Sequence, residues 1–78
     1  PWAYRNLGLF YLRTNKPVDA IKALEKARDF DQKGVEELFY LLGQAYAANQ
    51  QPDQACDAWR KALELGEREK IEQMTLCE

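Results

Sequence analysis

Few side chains of this chain are of a type and spacing that could do chemistry. Arg5 and Arg13 could hold a carboxylate through the planar, forked geometry that a lysine would not reproduce. Cys56 and Cys77 could join as a disulfide, but they form no Cys-x-x-Cys motif, so redox catalysis is not indicated. Glu36 and Glu37 are adjacent, and adjacent residues of a helix do not face each other, so they make no acid–base pair. Thr14 and Thr75 have no base nearby in sequence. The chain has no histidine and no serine, which removes the commonest general base, neutral metal ligand and hydroxyl nucleophile. Two cysteines cannot supply a four-thiolate zinc site within one chain. No glycine-rich phosphate loop is present. The expectation is a non-enzymatic module without metal or cofactor.

At 78 residues the chain is one small domain. Its 11 Lys and Arg against 13 Asp and Glu give a formal charge of −2, the wrong balance for a protein that displaces counterions from nucleic-acid phosphates. No apolar run approaches the ~20 residues that span a bilayer, so membrane insertion is not expected. The sequence starts at Pro1 without a methionine or a signal-peptide pattern and reads as an excised piece or a mature fragment.

The elements that position these residues are set by an internal repeat, visible at a constant offset of 35. Tyr4 falls on Phe39, Leu7 on Leu42, Gly8 on Gly43 and Tyr11 on Tyr46. Pro17 falls on Pro52, Ala20 on Ala55, Leu24 on Trp59, Ala27 on Ala62 and Phe30 on Leu65. Apolar residues recur at three-or-four spacing, as on a helical stripe, and strand alternation is absent. Pro17 and Pro52 sit where a second helix would begin, a position that tolerates the missing N–H, and Asp19 and Asp53 suit the dipole of those first turns. Asn15 and Asn49 can take the left-handed turn conformation, and Gly34 and Gly66 end each unit. Helices are predicted near 3–14, 18–29, 35–48 and 53–65, with a fifth from about 67 to 77 that carries Ile71, Met74 and Cys77 on one side. Gly8 and Gly43 let the two helices of each unit approach closely. Tyr4, Tyr11, Leu24 and Phe30 are expected in the core of the first unit, and Phe39, Tyr46, Trp59 and Leu65 in that of the second.

These residues resemble a tetratricopeptide repeat, whose pattern is W-x2-L-G-x2-Y followed by A-x3-F and A. The first unit supplies Tyr4-x2-Leu7-Gly8-x2-Tyr11, then Ala20-x3-Leu24 and Ala27. The second supplies Phe39-x2-Leu42-Gly43-x2-Tyr46, then Ala55-x3-Trp59 and Ala62. Gln32 and Glu67 replace the proline that usually closes the unit, and each unit is one residue longer. The resemblance implies an all-α fold of antiparallel helix-turn-helix repeats stacked as an α-α superhelix. It divides the chain into unit 1 (1–34), unit 2 (35–66) and a C-terminal capping helix or start of a truncated third unit (67–78).

In the family, the first helices of successive units line a concave groove for a peptide or partner helix. The groove positions correspond to Trp2, Arg5, Leu9, Leu12 and Arg13, then Glu37, Tyr40, Gln44, Ala47 and Ala48. Leu9 stands where the family's carboxylate clamp has an asparagine, so that clamp is not expected. Cys56 lies ten residues before Gly66 and Cys77 eleven after it, at similar heights in a hairpin turning there. They are either disulfide partners in an oxidising compartment or two buried thiols. Residues 1–34 hold seven bases and four acids, whereas residues 35–78 hold four bases and nine acids. That asymmetry either favours self-association through the repeat ends or is a solvated pattern. The function implied is a protein-interaction scaffold with a peptide or helix in its groove. The alternative is a structural spacer or self-associating segment of a longer array.

Overall fold

The computed structural model describes residues 2–30 and 37–77, the side chain of Trp2 excepted. Four α-helices follow one another: α1 (Trp2–Arg13), α2 (Pro17–Phe30), α3 (Leu38–Ala48) and α4 (Pro52–Glu64). A short 3-10 helix, Glu72–Cys77, ends the described chain. Among the described residues there is no strand. Gly34 lies outside the described residues, as do positions 35 and 36 of the third predicted helix.

The turns repeat as the sequence does. Pro17 and Pro52 are the first residues of α2 and α4, where a missing N–H costs nothing. The N–H of Lys16 donates to Tyr11 O at 2.8 Å, that of Gln51 to Tyr46 O at 2.9 Å and that of Glu67 to Ala62 O at 2.9 Å. Each of these three turns passes through one left-handed residue: Asn15 (φ 60°), Gln50 (φ 59°) and Gly66 (φ 73°). Asn49 was the expected residue in the second turn, but its φ is −92°. The offset of 35 maps Asn15 onto Gln50, and the turn follows register rather than residue preference. Asn49 instead donates from its side chain to Gln51 Oε1 at 2.7 Å.

Within each hairpin the closest approach is built on a missing Cβ. A Cβ added to Gly8 would lie 2.5 Å from Leu24 Cγ, and one added to Gly43 would overlap the indole of Trp59. Leu24 and Trp59 are consequently 0% and 1% exposed. The core joins Ala20, Leu24 and Ala27 of α2 to Leu38, Leu41, Leu42 and Ala45 of α3, and continues into Ala55, Trp59 and Ala62 of α4. Phe30 and Leu65 depart from the expected core: they are 67% and 45% exposed. Both stand at the end of a second helix, beyond the cover of its partner. Phe30 retains a stacked contact with Tyr4, centroids 5.7 Å apart.

The fifth helix is shorter than predicted and of a different kind. Residues 67–71 are not helical, and the 3-10 helix begins at Glu72. Ile71 is buried while Met74 and Cys77 lean on the core. Their spacing of three is the period of a 3-10 helix, in which i and i+3 eclipse. Cys77 is joined to Cys56 of α4 by a disulfide, with Cα atoms 5.7 Å apart.

α1 packs on α2, α3 on α4, and α3 also meets both α2 and α1, whereas α2 and α4 have no Cα pair within 8 Å among the described residues. The first helices are therefore side by side and the second helices splay.

Two stability predictions follow from these contacts. Ala at Gly43 meets a rigid buried ring and is expected to cost about 2 kcal/mol, the range of core overpacking. Ala at Gly8 meets a flexible leucine and regains helix propensity, so its loss is smaller. Urea denaturation midpoints of the two variants check the order. Replacing both cysteines by Ala releases a loop closed over a sequence separation of 21 and is expected to lower stability by about 3 kcal/mol. Equal midpoints for the non-reduced chain and the double variant would contradict it.

Candidate functional site

The side-by-side placement of α1 and α3 gives the molecule an inner face. On it Arg5, Leu9 and Leu12 of α1 are half-buried, as are Tyr40, Gln44 and Ala47 of α3, while Arg13 and Ala48 are exposed. Leu9, Leu12, Tyr40 and Ala47 rest against the core. Ala47 also lines an apolar cleft with Pro52, Ala55 and Trp59 of α4. The backbone of Trp2 begins α1; its side chain lies outside the described residues.

The α3 end of this face is closely organised. Glu37 precedes α3 with a left-handed backbone (φ 57°) and gives no side-chain cap to the helix. The cap comes from Glu67 instead: its two carboxylate oxygens accept the N–H groups of Phe39 at 3.1 Å and of Tyr40 at 2.9 Å. A carboxylate at a helix N-terminus satisfies orphan donors and meets the positive end of the dipole. The next residue, Arg68, pairs with Glu37 at 2.9 Å and lies 3.8 Å over the Tyr40 ring. Gln44 Nε2 donates to the Tyr40 hydroxyl at 3.3 Å. Two of the expected groove residues, Glu37 and Tyr40, are thus brought together by the loop after α4, and Gln44 joins Tyr40 along α3. A polar niche of about 270 Å³ beside Tyr40 and Arg68 extends this face to Lys70 and Gln73.

The α1 end is differently built. Arg5 donates to Asn6 Oδ1 at 3.3 Å. Arg13 stands in the last turn of α1, where a cation suits the helix dipole. The repeat pattern does not point to Glu67 and Arg68 as site residues, although Glu67 stands where the pattern has its proline. Behind the face, the Tyr46 hydroxyl donates to Glu25 Oε2 at 2.7 Å and ties α3 to α2. Burial, followed by the bond to Glu25, raises the pKa of Tyr46, so this link is complete at neutral pH and is lost in strong alkali, as the pH rises through the raised value.

Among the described residues no group of three or more His, Cys, Asp or Glu could hold a metal ion. No described helix is long and apolar enough to cross a membrane.

Residues 36–68 match the family model for the tetratricopeptide repeat. The matched segment covers α3, α4 and, after them, Glu67, which caps α3, and Arg68, which pairs with Glu37. No curated protein and no solved structure matches the chain. The described residues form an all-α helical repeat, and the family matched by its second unit is one of protein-interaction modules, typically non-catalytic scaffolds.

Replacing Glu67 by Gln removes the charge and leaves a single acceptor for two N–H groups. The expected loss is about 1 kcal/mol, as for a lost helix cap, with faster hydrogen exchange at the amides of Phe39 and Tyr40. Unchanged melting and exchange would show that the cap contributes nothing.

Proposed function

We propose that the inner face of α1 and α3 docks a peptide segment or a partner helix. The observation that carries this reading is the half-burial of Leu9, Leu12 and Tyr40 against the core, on two adjoining helices rather than loops. The repeat match supports it at the level of class, since such modules bind proteins. A preformed apolar surface loses little conformational freedom on binding, which leaves more of the contact energy for affinity. Tyr40 is the natural anchor, because aromatic and arginine side chains dominate binding energy in most interfaces. Its ring is already fixed between Arg68 and Gln44. Arg5 and Arg13 give the α1 side a preference for acidic residues in the ligand.

Selection of a displayed random-peptide pool on the immobilised chain tests the proposal. Peptides are expected that bind the native chain and lose at least tenfold in affinity when Arg5, Leu9, Arg13 and Tyr40 are all changed to Ala. The helical circular dichroism of the variant should be retained. Peptides that bind both proteins equally, or a selection that yields none, would overturn it.

A further inference from the structure

The chain after α4 is fixed to the second unit in two unlike ways. As far as Ile71 the attachment is shared among several contacts. Glu67 accepts two N–H groups of α3, Arg68 pairs with Glu37 and lies over the Tyr40 ring, and Ile71 is 4% exposed. From Glu72 onward the attachment is nearly single. Glu72–Cys77 is a six-residue 3-10 helix without a buried residue. Among the described residues it comes within 8 Å, Cα to Cα, of α4 and of no other helix.

The bonds of this segment turn inward. The Met74 N–H donates to Ile71 O at 3.1 Å, and the Thr75 hydroxyl donates to Glu72 O at 3.3 Å. Met74 Sδ, 4.0 Å from Cys77 Sγ, belongs to the segment as well. What holds the segment to α4 is the Cys56–Cys77 disulfide, with partial packing of Met74 beside it. Leu76 borders the apolar cleft of α4 but is itself 71% exposed. A 3-10 run of this length has poor hydrogen-bond geometry. Segments with few buried contacts are the ones that open locally.

We infer that the Cys56–Cys77 disulfide is a redox latch. Its reduction by a dithiol releases residues 72–77 from α4, with Ile71 as the hinge, and leaves the four α-helices and the Glu67 cap in place. Cys77 is half-buried whereas Cys56 is 7% exposed, so Cys77 Sγ is the sulfur that a thiolate reaches. Attack there breaks the S–S bond, joins the reductant to Cys77 and expels Cys56 as a thiolate, which takes up a proton. The second thiol of the reductant then displaces Cys77, which is protonated in turn, and the reductant becomes a disulfide. Two electrons and two protons pass to the two cysteines. Ile71 holds the chain six positions before Cys77, so the thiols stay within reach of each other and oxidation recloses the latch. Opening uncovers the Cys56 side of α4 and removes Leu76 from the rim of the cleft lined by Ala55 and Trp59.

NMR relaxation of the 15N-labelled 78-residue chain tests this in three states: disulfide-bonded, reduced with excess dithiothreitol, and as Cys77→Ser in the same reductant. The amides of residues 72–77 are expected to show order parameters near ~0.85 in the first state and below about 0.6 in the other two. The order parameters of Phe39 and Tyr40 and the helical circular dichroism are expected to stay unchanged, and reoxidation is expected to restore the first state. Order parameters that remain high at 72–77 after reduction would overturn the inference, because packing alone would then hold the segment. So would values already below about 0.6 in the disulfide-bonded chain. Loss of the helical signal together with the disulfide would overturn it too, since the bond would then staple the whole fold.

Discussion

The indole of Trp59 lies where a side chain at position 43 would begin, and Leu24 has the same relation to position 8. Much of the architecture depends on these two vacancies. A Cβ at position 43 would meet a rigid ring and push α4 away from α3, whereas one at position 8 would have to displace the Leu24 side chain. The neighbouring small residues Ala20, Ala27, Ala55 and Ala62, all 0–1% exposed, could not bridge the gap. Close hairpins are in turn thin enough for α3 to reach both helices of the first unit. That contact brings α1 and α3 into line and makes an inner face. Close packing has the character of a crystal rather than a liquid, so the constraint acts through the whole stack.

The end of the stack is managed by three devices within eleven residues of one another. Glu67 caps α3, Arg68 lies on Tyr40, and Cys77 is bonded to α4. They act on different parts of the fold but share one effect. The segment after α4, a loop followed by the 3-10 helix, is bound to both helices of the second unit and covers part of its apolar surface. An apolar face of a helical repeat that no neighbouring unit covers needs such cover. α1 has no comparable cover among the described residues, and its Leu7 and Phe10 remain exposed.

Much of this was legible in the residues. The offset of 35 located both hairpins, both prolines and both close-approach glycines, because packing at a helix crossing depends on side-chain volume and volume repeats with the sequence. The left-handed turn residue was misplaced to Asn49 because residue preference was read in place of register; Gln50 shows that register prevails. The 3-10 geometry of the last helix was present in the spacing of Ile71, Met74 and Cys77, which a helix of 3.6 residues per turn would not keep on one line. Phe30 and Leu65 were assigned to the core by repeat position, but a helix end carries them past their cover. The cap by Glu67 was beyond reach, since it joins residues 27 and 28 positions apart and depends on the path of a loop.

The central claim is that the first helices of the two hairpins adjoin while the second helices diverge. Dipolar electron–electron resonance between nitroxide labels measures this directly on the disulfide-bonded chain. Labels at Arg13 and Ala48, equivalent exposed positions on α1 and α3, report the inner distance. Labels at Lys26 and Lys61, equivalent exposed positions on α2 and α4, report the outer one. The account predicts a clearly shorter separation for the inner pair. An outer separation equal to or shorter than the inner one would contradict it.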